Sequence, residues 1–231
     1  MSLDTGLFEK KIGIEFKDRT LLKQAFIHRS YLNEHREIGL DHNERLEFLG
    51  DAVLELAVTD YLFKQYPDMP EGEMTAVRAA LVNAVTLGES AADLGVNEFL
   101  LLSKGESKDT GRARQIILAN AYEAIIGAVY LDQGYEAARD FIASHLFQRT
   151  DEIVAKKLWQ DAKSYFQEKA QETYNQTPRY DLVKEIGPDH NKRFTIGLYI
   201  ADELVTTGEG HSKQEAEQDA AKRGLEVKGW R

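Results

Sequence analysis

The sequence has no cysteine among its 231 residues and only four prolines. Without cysteine the chain cannot form disulfides, thiolate zinc sites or a thiol nucleophile, and such a composition is typical of a reducing compartment. No apolar run approaches the roughly 18 residues that a membrane-spanning helix needs. The first residues, MSLDTGLFEKKIGIEF, lack the apolar core of a signal peptide. We therefore expect a cytoplasmic protein without a membrane partner.

Positive charge is also in short supply, since 29 lysines and arginines face 39 aspartates and glutamates and the formal net charge is −10. An evenly acidic surface would argue against a nucleic-acid partner, because phosphate binding depends on basic surface. Most of the acidic excess lies before residue 150, however. The charge argument therefore applies to the first part of the chain and not to the rest.

The hydrophobic pattern predicts two domains. Up to about residue 150, apolar residues recur at intervals of three and four, which predicts an all-α domain over 1–153. A charged linker is predicted over 154–160. The pattern over 161–229 changes to a helix, three alternating strands and a last helix. This α-β-β-β-α order is that of a small α+β domain.

One predicted helix, in the stretch HNERLEFLGDAVLELAV at 42–58, has an acidic side. At 100° per residue, Glu44, Glu47 and Asp51 fall within about 60° of arc. Apolar side chains on the opposite side predict the packed face: Leu46, Leu49, Val53 and Leu56. A solvated face is the usual interpretation of such acids, but like charges three and four residues apart destabilise a helix. We therefore expect something positively charged beside these three carboxylates.

Two further carboxylates are candidates for the same site. Glu71, in the stretch PEGEM, stands at a turn or helix start, where the helix dipole alone would also favour an acid. Glu123 lies in ILANAYEAIIGAVYLD, a helix apolar nearly all round, with Asn120 one turn before it. A buried carboxylate needs an arginine, a proton or a metal as partner. A salt bridge and a metal site both remain open for Glu123.

The ligand types favour a hard cation. Clustered carboxylates with an amide oxygen suit Mg²⁺ or Mn²⁺ rather than zinc. The histidines of the first part show no zinc-ligand spacing, and we interpret them as structural or surface residues: His28, His35, His42 and His145. Magnesium held by a few carboxylates typically contacts phosphate oxygens, so the predicted chemistry is phosphoryl transfer or phosphodiester hydrolysis.

Several motifs together resemble the bacterial type of ribonuclease III. The similarity runs in the family's order through FIHRS, NERLEFLGDAV, PEGEM, RAALVN, KGESKDTGR and ANAYEAIIGAVYLD, and the last 70 residues resemble a double-stranded RNA-binding domain, most clearly in GEGHSKQEAEQDAAKRGLE. The resemblance implies an all-α endonuclease domain followed by the α+β RNA-binding domain. It also implies a homodimer that uses Mg²⁺ or, as a substitute, Mn²⁺ and needs no small-molecule cofactor. Such an enzyme hydrolyses both strands of an RNA duplex in rRNA and mRNA processing and leaves 5′ phosphates and short 3′ overhangs.

The resemblance also implies roles for single residues. The catalytic acids of the family match Glu44, Asp51, Glu71 and Glu123, and its metal ligands match Glu47, Asp51, Asn120 and Glu123. The family has a metal-ligand aspartate where this chain has Asn120. Phe48 matches an aromatic residue that inserts into the partner subunit, although an ordinary core phenylalanine would otherwise be the simpler interpretation.

In the second domain the resemblance implies contacts with duplex RNA, which is recognised mainly by shape through its minor grooves and phosphates. Gln167, Gln171 and His190 would contact minor grooves, and Ser212 and Lys213 at a helix start would contact phosphate. A solvated helix face is the alternative for the two glutamines. The family often has a second lysine where Gln214 stands, which predicts a weaker phosphate contact.

Two functions from different classes follow. The first is an active endoribonuclease specific for double-stranded RNA. The alternative is a double-stranded RNA-binding protein with impaired cleavage, because Asn120 replaces a metal-ligand aspartate. An unrelated acidic helical scaffold is a remote third possibility.

Overall fold

The computed structural model describes residues 4–155, 159, 161–188 and 192–230, and the chain separates between Ala155 and Lys156 into two compact units. Part of the predicted linker, residues 156–158 and 160, lies outside the described residues. None of the helices in the described ranges combines the length and the apolar character that spanning a lipid bilayer would require.

The first unit is helical, as the sequence predicts. Its helices are α1 (Thr5–Ile12), α2 (Arg19–Ala25), α3 (Arg29–Leu32), α4 (Glu44–Gln65), α5 (Glu71–Leu81), α6 (Ala84–Asp93), α7 (Arg112–Gln133), α8 (Tyr135–His145) and α9 (Thr150–Ala155). Short 3-10 turns lie at Arg36–Ile38, Val96–Glu98, Glu106–Lys108 and Phe147–Arg149. Capping side chains explain several helix starts, since Asp18 accepts a hydrogen bond from the N–H of Thr20, and Asn83 from those of Val85 and Thr86.

Helices α4 and α7 form the centre of this unit. Both are 22 residues long, and α7 is buried along most of its length, including Tyr122 and Ile125. The two backbones meet where a glycine of each helix faces the other. A Cβ atom on Gly50 would overlap the carbonyl oxygen of Glu123, and one on Gly127 would overlap that of Leu46. Glycine at both positions is therefore what lets the helices cross this closely.

The packed face of α4 differs in one residue from the predicted one. Leu46 and Val53 are buried and Leu49 is half-buried, but Leu56 is 56% exposed. The interpretation of Leu56 as a core residue is therefore wrong for the single chain. Toward its C-terminal end the helix buries Ala57, Val58 and Leu62 instead, so the covered surface moves around the helix and leaves Leu56 in solvent.

The second unit confirms the predicted α-β-β-β-α order. It consists of α10 (Ala162–Tyr174), β1 (Arg179–Ile186), β2 (Arg193–Ile200), β3 (Glu203–Gly210) and α11 (Lys213–Val227). The strands form an antiparallel sheet in the order β1-β2-β3, with Tyr180 opposite Leu198 and Leu198 opposite Thr206. Phe166, Leu198 and Leu225 join one small core between the sheet and the two helices.

Candidate active site

The crossing of α4 and α7 brings together acidic residues that lie far apart in the sequence. Glu47 and Asp51 of α4 flank Gly50, and Gly50 touches the backbone of Glu123 on α7. Asn120 precedes Glu123 by one turn of α7. The acidic side of α4 and the acid of α7 therefore share one site. The sequence pattern alone did not establish this proximity.

Glu123 is the most strongly perturbed carboxylate of this site. Partial burial raises its pKa, and the negative charges of Asp51, Glu47 and Glu55 raise it further, to about 8. Among the residues that the structure describes, no lysine or arginine forms an ion pair with Glu123. Within the described part of the chain, the salt bridge that the sequence left open is therefore not formed, and no basic side chain neutralises this carboxylate.

Glu47 has a similar but milder environment. Burial raises the pKa of this carboxyl, and the charges of Glu44 and Asp51 act in the same direction. The amide of Asn120 lies beside Glu47 and, as a hydrogen-bond donor, opposes the rise in the pKa. An aspartate at position 120 would add a further negative charge here instead of a donor. In the metal-free protein, Asn120 thus relieves part of the repulsion.

Glu44 stands at the edge of the group, beside basic side chains. Its carboxylate lies 3.5 Å from the guanidinium of Arg29 and 3.8 Å from Nδ1 of His42. It is exposed, as is the Arg29 side chain. Glu44 therefore has polar partners of its own.

Glu71 is separate from the other acids. It is the first residue of α5, is exposed, and accepts a hydrogen bond of 3.0 Å from the hydroxyl of Thr75. Its charge is not among those that shift the pKa of Glu47 or Glu123. The structure thus groups Glu44, Glu47, Asp51, Asn120 and Glu123, and it leaves Glu71 outside that group.

The donor set of this group suits a hard cation. Glu47, Asp51, Glu123 and the amide of Asn120 offer only oxygen ligands from protein side chains. The high pKa of Glu123 arises partly from like charges, so a bound cation would relieve the repulsion that the side chains exert on one another. In the described part of the chain, no three histidine, aspartate or glutamate side chains are gathered tightly enough to hold a metal ion as they stand. The chemistry of the residues fits Mg²⁺ or Mn²⁺, and their side chains would have to close around the ion.

Glu55 is a residue near the site that the sequence interpretation missed. It follows Asp51 by one turn of α4, and its charge contributes to the raised pKa of Glu123. The signal was present in the sequence, because Glu47, Asp51 and Glu55 are spaced four apart on one helix face. The same spacing thus extends the acidic face of α4 by one turn beyond the motif NERLEFLGDAV.

Phe48 projects into solvent from α4. Its side chain is 80% exposed, so it is not a core phenylalanine in the single chain. It lines a shallow apolar depression of about 670 Å³ together with Leu21, Leu46 and Leu131. Phe63, on the same helix, is 70% exposed. Large exposed apolar side chains such as Phe48 and Phe63 on one helix are typical of an interface.

The residues with predicted RNA contacts lie on two helices of the second unit. Gln167 and Gln171 are exposed on one face of α10, where Gln171 donates a hydrogen bond of 2.7 Å to Asn175. The Ser212 hydroxyl caps α11 by accepting a hydrogen bond of 3.1 Å from the N–H of Glu215. Lys213 is exposed in the first turn of that helix. His190 lies outside the described residues, so its role stays a prediction.

Comparison with known proteins identifies two family signatures in the chain. The Ribonuclease-III-like family matches residues 18–150, and the double-stranded RNA binding motif matches residues 162–228. Ribonuclease 3 of Oceanobacillus iheyensis is 47% identical over 97% of this chain and 98% of its own length. Ribonuclease 3 of Carboxydothermus hydrogenoformans is 48% identical over 95% of this chain and 93% of its own length.

A solved nuclease domain of ribonuclease III from Campylobacter jejuni, described as having a region involved in dimer formation, is 38% identical. It matches with a TM-score of 0.57, over 63% of this chain and 97% of the solved domain.

Proposed function

Because the chain belongs to the ribonuclease III family, we propose that it is a metal-dependent endoribonuclease that hydrolyses phosphodiester bonds on both strands of double-stranded RNA. One observation carries this proposal. Carboxylates of α4 and α7 converge at one site, and Glu123 has no neutralising side-chain partner there among the described residues. The double-stranded RNA binding motif in the second unit supports the choice of substrate.

The proposed site divides into ligands and further acids. Glu47, Asp51, Glu123 and the side-chain oxygen of Asn120 would hold Mg²⁺ or Mn²⁺. When bound, such an ion stabilises negative charge on phosphate oxygens and activates water at neutral pH. Glu44 and Glu71, which are exposed, are the other proposed catalytic acids. Asp51 and Glu123 would also act in the reaction, because they match catalytic acids of the family.

Without a bound cation, a proton and an amide offset part of the negative charge of the site. Near neutral pH and without metal, Glu123 retains a proton, since its pKa is about 8. Asn120 shields part of the charge of Glu47, which lies beside it. The helix crossing fixes the side-chain oxygens of α4 relative to those of α7. The site is therefore built on two packed helices and not on loops.

In the proposed enzyme the second unit binds the duplex, and two copies of the first unit cut it. A single site cuts one strand, so two staggered cuts need two sites related by a two-fold axis. We propose a homodimer with Phe48 in its interface, which the apolar surface of α4 supports. The products would carry 5′ phosphates and short 3′ overhangs, and the substrates would be rRNA and mRNA precursors in the cytoplasm. No small-molecule cofactor is needed for this chemistry.

The alternative function depends on Asn120. An asparagine keeps one oxygen that can coordinate a cation but loses one negative charge, so weakened metal binding is expected rather than its abolition. A penalty of about 1 to 3 kcal/mol corresponds to a roughly 5- to 150-fold higher magnesium requirement. If the penalty were much larger, the chain would be a double-stranded RNA-binding protein with impaired cleavage.

A magnesium and manganese titration of cleavage on a generic RNA duplex tests the proposal. We expect metal-dependent cleavage by the wild-type chain, a lower metal requirement for Asn120→Asp, and RNA binding without cleavage for Glu123→Gln. Cleavage that appears only in Asn120→Asp would identify the wild-type chain as the passive binder. If Asn120→Asp had the same metal requirement for cleavage as wild type, residue 120 would not belong to the metal site.

A further inference from the structure

Arg78 of α5 connects that helix to α4 through two side chains. Its Nε lies 2.9 Å from a carboxylate oxygen of Glu55, and one of its terminal nitrogens donates a hydrogen bond of 2.8 Å to the hydroxyl of Thr59. The same hydroxyl donates a hydrogen bond of 2.7 Å to the backbone carbonyl of Glu55. Arg78 and Glu55 are each about one-third exposed, with side-chain exposures of 34% and 38%. The guanidinium therefore holds one turn of α4, from Glu55 to Thr59, at two points.

One end of this connection lies beside the acids of the crossing. Glu55 follows Asp51 by one turn of α4, and it is close enough to Glu123 for its charge to act on that carboxyl. The ion pair with Arg78 offsets part of the negative charge of Glu55. The connection therefore begins at the edge of the proposed metal site.

On the other side of the connection, α5 contains both Arg78 and Glu71. Glu71, Thr75 and Arg78 are spaced by four and three residues, which places them along one face of α5. Together with Thr59 and Phe63 of α4 they line a small cavity of about 200 Å³ between the two helices. Because α5 begins at Glu71, whatever fixes the orientation of α5 also fixes the position of this carboxylate.

We propose that Arg78 is a positioning residue for the cleavage reaction, which holds α5 against α4 so that Glu71, at the start of α5, keeps a fixed position relative to the acids of α4. The inference rests on the proposed function. Arg78 touches neither the acids of the crossing nor Glu71 in this role, and it acts through Glu55 and Thr59. Its guanidinium suits the role because it is planar and offers several donors in a rigid fork, whereas a lysine offers one ammonium.

The test compares steady-state cleavage of an RNA duplex by the full-length wild type, Arg78→Ala, Arg78→Lys, Glu55→Gln and Glu55→Ala at saturating Mg²⁺. Arg149→Ala is the matched control, since Arg149 is similarly exposed and joins two helical elements through Glu89 and Asp93, at 2.8 Å each. Thermal unfolding of every variant separates a loss of stability from a loss of positioning.

For Arg78→Ala we expect kcat to fall on the order of tenfold to a hundredfold, as a misplaced catalytic group typically causes, with little change in KM for RNA. Glu55→Gln keeps an acceptor for Arg78 and should retain most of kcat, whereas Glu55→Ala should lose it. The double variant Arg78→Ala/Glu55→Ala should be no slower than Arg78→Ala alone, because both changes break one connection. Arg149→Ala should lose stability but keep kcat.

The inference would be overturned if Arg78→Ala kept wild-type kcat, if its kcat fell no further than that of an equally destabilised Arg149→Ala, or if the two single losses simply added. A wild-type chain without any cleavage would instead contradict the proposed function. The two failures are distinguishable, because the Arg78 variants are compared with a wild-type rate measured in the same assay.

Discussion

At the scale of single residues, Glu123 links the proposed activity to a cost in stability. Its pKa in the folded chain, about 8, lies above the ordinary value of 4.5. The folded state therefore binds more protons than the unfolded state between these two values, and stability falls as the pH rises through that window. At the lower end of the window the carboxyl is protonated in the folded chain and the penalty disappears. In the metal-free protein, the Glu123 carboxylate should thus lower the free energy of unfolding most at alkaline pH.

Replacing Glu123 by glutamine should remove this penalty. In the presence of a chelator at pH 8.5, we expect Glu123→Gln to unfold at a temperature a few degrees above wild type, for a gain of about 1 to 2 kcal/mol after allowance for solvent screening. At pH 5 the two proteins should unfold together. Thermal unfolding followed by far-ultraviolet circular dichroism measures the difference. Glu73→Gln, a change at an exposed acid of α5, is the control and should show no pH-dependent gain.

The residues of the site could be predicted from the sequence only in part. Helical spacing placed Glu44, Glu47 and Asp51 on one side of α4, and in the structure the charges of Asp51 and Glu47 contribute to the raised pKa of Glu123. Nothing in that spacing shows that α7 is the helix that crosses α4 there. The ion pair between Glu55 and Arg78 could not be predicted from the sequence for the same reason, because it depends on where α5 packs.

At the scale of secondary-structure elements, the crossing of α4 and α7 depends on Gly50. A methyl group at this position would overlap the backbone of Glu123, and backbone cannot move aside as a flexible side chain can. We expect Gly50→Ala to lower the free energy of unfolding by about 3 kcal/mol or more. Urea denaturation measures this change.

Gly72→Ala is the matched control for that experiment. Gly72 lies in the first turn of α5, and a Cβ atom there would have nothing within 4 Å. Alanine favours helix over glycine, so this variant should be as stable as wild type or a few tenths of a kcal/mol more stable. Equal losses for the two variants would show that close packing at the crossing is not what makes Gly50 necessary.

The start of α11 offers a second prediction at this scale. Lys213 is exposed beside the capping Ser212, so we expect Lys213→Ala to weaken binding to duplex RNA and to reduce the salt slope by about one. Binding is measured in a chelator with RNA and DNA duplexes of one sequence, and RNA should be preferred. Lys228→Ala, at the opposite end of the helix, should leave the slope unchanged. Equal affinity for the RNA and DNA duplexes would contradict the proposed recognition by shape.

The order of elements was the most predictable level of the second unit. The helix, three strands and last helix predicted over 161–229 agree with α10, β1 to β3 and α11, because alternating apolar residues and turn residues are local signals. The exposure of Leu56 was not predictable, since which side of a long helix is covered depends on its neighbours. Local patterns thus fixed the elements, and packing decided their faces.

At the scale of the whole molecule, the exposed face of α4 leads to a prediction about assembly. Phe48 is 80% exposed in the single chain, and a charge in an apolar interface is costly. We expect the wild-type chain to be a dimer at micromolar concentration and Phe48→Asp to shift it toward monomer, as measured by light scattering. Leu7→Asp alters another exposed apolar residue, which lies on α1 and is 60% exposed, and should leave the mass unchanged. A monomeric wild-type chain would refute the proposed homodimer.

The same surface affects the chain before it has found a partner. A newly synthesised subunit carries Phe48, Leu56 and Phe63 in water, and apolar surface of this kind favours non-specific association. Meeting a second copy takes longer when copies are few, because the encounter rate depends on concentration. A cell that makes little of this protein therefore leaves each subunit unprotected for longer, in the reach of chaperones and proteases.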